Sequence, residues 1–425
     1  MEGKTSPVVL VVGLLVLGLA VPGWAAERVK ISYMFWSQTT SAVEEMKAAF
    51  EQANPGIEVE LLHQPSGYKE KLRVMFAAGT APDTYALDHQ DIVEFTRLGW
   101  AVDLTSFIER TPDFRVNEFL PPVRDLATVD GMLVGFPSGV GTNMYYFNVK
   151  LFSEAGLETP DVLYARDAWT WAAFQDAARK LTRRSADGSV ETWGAAVHLG
   201  GALPRGFIWS NGGDEVDDVK NPTAVLLDRP EAIEALDYLQ RLLWSDETAM
   251  REGNPTDWFI GGNLGMYARW NSAFPLHADA PFEWGIVPYP KGPGPRGAVA
   301  ADLTAAITAM APTTPHREEA WRWISFFSSY EGNLIGLRNN GGIPSRMAFS
   351  QQEVAEFQPA NLINPELLFL PLQIGRSRIM SPNQADILRA INQELNKIFR
   401  NEAPAHVAAV AATQLANAVI AGAAR

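Results

Sequence analysis

Val29-Lys30-Ile31-Ser32-Tyr33-Met34-Phe35-Trp36, the stretch from Ser41 to Phe50, and Ile57-Glu58-Val59-Glu60-Leu61 together decide the fold of this chain. Val29, Ile31, Tyr33 and Phe35 alternate with other residues, the period of a strand. Ser41 and Glu44 have the spacing of a capping box, and Val43, Met46 and Phe50 follow at helical intervals. Asn54-Pro55-Gly56 stops that helix. Ile57, Val59 and Leu61 alternate again. A second helix carries Tyr68, Leu72, Met75 and Phe76 and ends at Gly79, and Thr84 to Leu87 reads as a short strand. Strand, helix, strand, helix, strand at this spacing predicts βαβ units and a largely parallel sheet. Helical spacing returns at Phe174, Ala177, Ala178 and Leu181. It recurs behind Pro230 with Ile233, Leu236 and Leu243, and again at Trp321, Ile324 and Phe327. At 425 residues the chain exceeds one simple core, and no low-complexity linker or fixed-period repeat divides it. Two lobes packed together, with the chain crossing between them, are expected.

Composition narrows the class. Hydrophobic residues are 47% and charged residues 20%, as in an ordinary soluble globular protein. The formal net charge of -14 disfavours nucleic acid and anionic membranes as partners, since both call for a basic face. Lys4, the uncharged run Val8 to Val21 and the small residues Gly23 and Ala25 form a secretory signal with cleavage expected after Ala25. There is no cysteine, so a lipid-anchored export signal, a disulfide, a thiolate metal site and a Cys nucleophile are all excluded. GxxxxGK[ST], HExxH and GxSxG are absent, and the six histidines have no metal-ligand spacing. Gly292-Pro293-Gly294-Pro295-Arg296-Gly297 matches GxGxxG as a string, but its two prolines prevent it from opening a phosphate-binding helix. No cofactor and no metal are expected.

A series of strings then points to a family. In order they are Phe35-Trp36; Ala49 to Val59, with its Asn54-Pro55-Gly56-Ile57; Tyr68-Lys69-Glu70-Lys71-Leu72; and Ala77-Ala78-Gly79-Thr80-Ala81-Pro82-Asp83, the most specific. Gly131 to Pro137, Tyr145 to Phe152 with Ala155-Gly156-Leu157, Trp169-Thr170-Trp171, Gly261 to Trp270 and Gly342-Ile343-Pro344-Ser345 complete it. The chain resembles the family 1 extracellular solute-binding proteins, the sugar-binding components of ABC importers, over nearly all of its length past the signal. Phe147 stands within the family's Tyr-Asn pair, and Trp169-Thr170-Trp171 departs from the usual Pro-x-Thr-Trp. The resemblance implies an α/β, two-lobed periplasmic-binding-protein fold of type II. Each lobe would be a mainly parallel sheet flanked by helices, with the ligand cleft between lobes. It places the first lobe at 26–140 with 304–341 and the second at 141–303 with 342–425. It also implies hinge closure on a carbohydrate or polyol, permease subunits of an ABC transporter as partners, a monomer, and no catalysis.

Candidate site residues follow from both arguments. In an open α/β sheet ligands sit beyond the carboxyl ends of the strands, where Trp36 and Asp88 lie and toward which Tyr68 faces. Aromatic rings suit the C–H face of a sugar, and Asp, Asn and Thr suit its hydroxyl rim. Each has a structural alternative: a core indole, a packing tyrosine, a helix cap. The family pattern adds Thr142, Asn211, Trp270 and Asn271 in the second lobe. Arg376 is a candidate clasp for a charged or hydroxyl-rich solute, with a surface salt bridge as the alternative. A secreted carbohydrate hydrolase and a solute sensor are the rival functions.

Overall fold

The computed structural model describes residues 27–37, 40–197, 204–340 and 342–423. The expected signal segment and its expected cleavage site after Ala25 lie outside them. Two five-stranded sheets carry the architecture. The first has the order Ile57–His63, Val29–Phe35, Thr84–Asp88, Thr304–Met310, Gly135–Gly141. Its first three strands pair in parallel, as the alternation and spacing predict, and Thr304–Met310 runs antiparallel to both of its neighbours. The second sheet has the order Trp284–Val287, Asn143–Asn148, Leu264–Trp270, Val190–Ala196, Arg183–Arg184, and only the pairing of Leu264–Trp270 with Val190–Ala196 is parallel. Both sheets are therefore mixed. The cause is the crossings. Gly135–Gly141 ends in one sheet and Asn143–Asn148 begins in the other with only Thr142 between, and the return at Leu303 brings Thr304 into the first sheet against the run of its neighbours.

The helices follow the apolar faces. Ser41–Ala53 buries Val43, Met46 and Phe50 against one face of the first sheet. The expected capping box at Ser41 does not form. Thr40 is the N-cap, its carbonyl accepts the Glu44 N–H at 2.9 Å, and Ser41 is already inside the helix. Arg317–Phe327 buries both of its tryptophans, because it is packed on two sides: Trp323 joins the core with Phe50 and Tyr33, while Trp321 joins Phe107 and Phe114. In the second lobe Trp171–Leu181, Pro230–Trp244, Gln384–Phe399 and Ala405–Ala423 close over one sheet face. The last of these is apolar and long enough to cross a membrane by length and composition. Ala405, Ala408, Ala409, Ala412 and Ala416 nonetheless face this core.

The third crossing is displaced from the expected position at 342. Ser345 donates from its hydroxyl to the Pro137 carbonyl, Arg346 pairs with Glu118, and Phe349 stacks on Tyr330, so this segment stays with the first sheet. Contacts change sides by Asn361, whose carbonyl accepts the Trp284 N–H, and by Asn364, which bonds Ile286 through both ends of its amide.

Candidate functional site

The carboxyl ends of Val29–Phe35, Thr84–Asp88 and Gly135–Gly141 face the end of the second sheet that carries Asn143 and Trp270, which are paired in register. Three cavities run along this junction. One of about 470 Å³ is cut into the second lobe and lined by Asn143, Arg205, Arg269, Trp270, Tyr289, Asp302 and Arg378 among others. One of about 420 Å³ joins the lobes, with Trp36, Asp88, Asn271 and Thr304 on its walls. The third, about 280 Å³, lies in the first lobe between Trp36, Tyr68 and Asp88. Trp36 and Asp88 border both of the latter two, and consecutive residues Trp270 and Asn271 border the first two.

Trp36 is half-buried and meets Tyr68 edge-on, ring centroids 5.0 Å apart. The Tyr68 hydroxyl is turned inward, donating to the Ala86 carbonyl at 2.6 Å and lying 3.0 Å from that of Met34. Burial pushes it well above the ordinary tyrosine range, so it stays protonated and offers the cleft its ring. Asp88 caps the turn that follows it: Oδ1 accepts the Gln90 N–H at 2.9 Å. Burial raises its carboxyl, but His89 and the Gln90 N–H outweigh burial and hold it below the usual aspartate value, so it is ionised at neutral pH. The cap and the cleft position are compatible, since a carboxylate has two oxygens.

Thr142 is 1% exposed. Its N–H donates to Asn271 Oδ1 at 2.9 Å, its hydroxyl donates to the Asp302 carbonyl at 2.7 Å, and the Asn271 N–H returns to the Thr142 carbonyl at 3.0 Å. Thr142 thus ties two crossings together, while Asn271 shares in the tie and still borders the joining cavity. Trp270 borders the second-lobe cavity with the Arg378 guanidinium 4.4 Å over its ring, a cation–π contact at the cavity wall.

Thr142, so buried, lines none of the three cavities, and two more expected site residues lie elsewhere. Asn211 is 0% exposed, which leaves no surface for a solute. Its amide donates to the Glu231 carbonyl and to Glu234, and its Oδ1 accepts the Gly294 N–H at 2.7 Å. A Cβ on Gly292 would come within 2.6 Å of Asn211, so the Gly-Pro-Gly loop is glycine-rich in order to close over this asparagine. Arg376 pairs with Asp214 and lies over Trp209, the surface ion pair that was the alternative reading.

Sequence reasoning passed over the charged wall of the second lobe. Arg205 and Glu215 form a buried ion pair, Nε to Oε1 at 2.5 Å. Burial pulls the Arg205 guanidinium down, and Glu215 and Asp302 more than restore it. Arg378 Nε donates to Asp302 Oδ2 at 3.0 Å. The Tyr289 hydroxyl donates to Asn143 Oδ1 at 2.8 Å. Arg269 is adjacent to Trp270 in a string that was singled out, and that adjacency was the available signal.

Two mixed α/β lobes joined by short crossings, with aromatic rings at facing strand ends, define a two-lobed ligand-binding protein. Residues 36–334 match the family of bacterial extracellular solute-binding proteins, and the chain belongs to that family. A sugar-binding protein of Xanthomonas citri superposes with a TM-score of 0.79 at 18% identity, covering 93% of this chain and 98% of that one. An ABC substrate-binding protein of Listeria monocytogenes, solved with cycloalternan, gives 0.77 at 24%, covering 93% and 100%. At these identities the likeness fixes the fold. A putative binding protein of Brucella abortus is 24% identical over 391 residues, 87% of this chain and 89% of that one. An arabinooligosaccharide-binding protein of Halalkalibacterium halodurans is 28% identical over 154 residues, 34% of this chain and 32% of that protein.

Proposed function

We propose that this chain is the extracytoplasmic receptor of an ABC importer, that it captures a sugar or sugar-like solute in the cleft between its lobes, and that it passes the solute unchanged to a membrane permease. The carrying observation is the pairing of ring and rim: Trp36 and Trp270 at strand ends of opposite sheets, with Asp88, Asn271 and Asp302 beside them. Rings of this kind stack on a pyranose face, and the carboxylates and amides bond its hydroxyls. Sugar-binding relatives of the same fold support the assignment. The lobes are 26–140 with 304–341 and 141–303 with 342–425, except that Ser345 to Phe349 go with the first lobe. Trp36, Tyr68 and Asp88 form the first-lobe wall, Trp270 and Asn271 the second, and Thr142 serves the hinge. The protein works as a monomer, is exported by cleavage after Ala25, and is free of lipid.

A thermal-shift screen over a saccharide library tests this, because a ligand that binds only the native state raises stability. The expected result is a higher melting temperature with one class of saccharide, and full recovery of that saccharide by chromatography after incubation. Many product molecules per protein would establish the hydrolase instead, and no shift with any saccharide would remove sugar from the account.

A further inference from the structure

The second-lobe cavity has a charge pattern that a neutral sugar does not call for. Four guanidinium groups border it: Arg205, Arg251, Arg269 and Arg378. Three have carboxylate partners. Arg205 pairs with Glu215, Arg251 with Glu247, and Arg378 with Asp302. Arg269 has no ion-pair or hydrogen-bond partner among the described residues, although it is half-buried on the edge of the cleft and its Nε is shielded from solvent. An unpaired charge in a partly desolvated wall is costly, and the chain has carboxylates in excess, 49 acidic residues against 35 basic. Asp302 is 3% exposed, and its Oδ1 is likewise buried without a partner on the same wall. Glu252 also borders the cavity and likewise has no ion pair among the described residues, so the wall presents Arg269, a cation with no direct partner and an orphaned donor, and Asp302, with an orphaned acceptor, beside Trp270.

We infer that this cavity is a subsite for an acidic saccharide, whose anionic group is held by Arg269 while a hydroxyl of the same solute donates to Asp302 Oδ1. The inference rests on the reading of the cleft as a sugar site and narrows its substrate class. The guanidinium fork gives two parallel, charge-assisted N–H bonds to a carboxylate or phosphate oxygen pair, a stronger interaction than it makes with neutral hydroxyls. Arg378, over the Trp270 ring and bonded to Asp302 through Nε, holds that carboxylate on the same cavity wall. Carboxylate and phosphate share this chemistry, and matched sugars separate them.

The test is calorimetric titration of the full protein with matched sets: glucose, glucuronate and glucose 6-phosphate; galactose, galacturonate and galactose 6-phosphate; trigalacturonate and its methyl ester. In the set that binds, an acidic member is expected to bind at least about tenfold tighter than the neutral one, and added salt is expected to narrow the gap. Which acid wins names the anionic group. Arg269→Gln is expected to bring the members of that set within about threefold of each other, and Arg269→Lys, which keeps the charge but loses the fork, to keep only part of the preference. A preference that survives Arg269→Gln overturns the assignment to Arg269. Tight binding of a neutral saccharide, with nothing gained from its acidic counterpart, overturns the inference and leaves the sugar receptor standing. No binding by any saccharide, neutral or acidic, overturns both.

Discussion

Arg205 and Glu215 show how a single buried pair shapes this binding wall. Taking both charges out of water is costly, and their mutual attraction offsets that cost only while both are present. Arg205→Met is therefore expected to destabilise the fold by roughly 3–5 kcal/mol, because it strands a buried carboxylate, and Arg205→Met/Glu215→Leu to recover most of the loss. Melting curves of the two variants decide it, and a double variant no more stable than the single one would contradict the argument. At this scale the sequence was legible only in part. Trp36, Asp88 and Trp270 could be placed at strand ends from alternation and family strings. The partners of Arg205, Asn211 and Arg376 could not, because each depends on residues brought close by the fold. Asn211 sits in a polar, Gly-rich string that looks like a ligand loop, yet it locks Gly292 to Gly294 from inside the protein.

At the scale of elements, helix Trp171–Leu181 rests directly on strand Val190–Ala196 through Gly194, where a Cβ would approach the Ala178 carbonyl oxygen to 1.8 Å. Gly265 on the neighbouring strand is closed in by the Gly194 carbonyl in the same way, at 2.6 Å. Helix and sheet are thus in contact without an intervening side chain. Gly194→Ala should lower stability by about 1–3 kcal/mol or more through overpacking, whereas Gly342→Ala, where nothing lies within 4 Å, should be near neutral. Equal melting temperatures would contradict this. Strand and helix periods of the first lobe were readable because each element there buries one face. The capping box was misread, since a Ser-x-x-Glu spacing also occurs one residue past the N-cap, which here is Thr40. The mixed sheets were hidden because strand direction depends on where the chain crosses between lobes.

At the scale of the whole molecule, the lobes touch beyond their crossings. The Gln384 amide donates to the Gln90 carbonyl at 2.9 Å and to Asp91 Oδ1 at 3.1 Å, and Lys220 pairs with Asp125. A contact made only when the lobes approach biases the equilibrium toward closure. Gln384→Ala is expected to weaken solute binding by about 0.5–1.5 kcal/mol with little change in the unliganded melting temperature, and unchanged affinity would place the contact in both states. The central claim is that a saccharide is held between Trp36 and the second lobe, and calorimetry with the best saccharide from the screen tests it most directly. The account predicts one site per chain in the parent protein, and binding about 1–3 kcal/mol weaker in Trp36→Ala at a near-parental melting temperature. No saccharide bound, or the same affinity after Trp36 is removed, would contradict it.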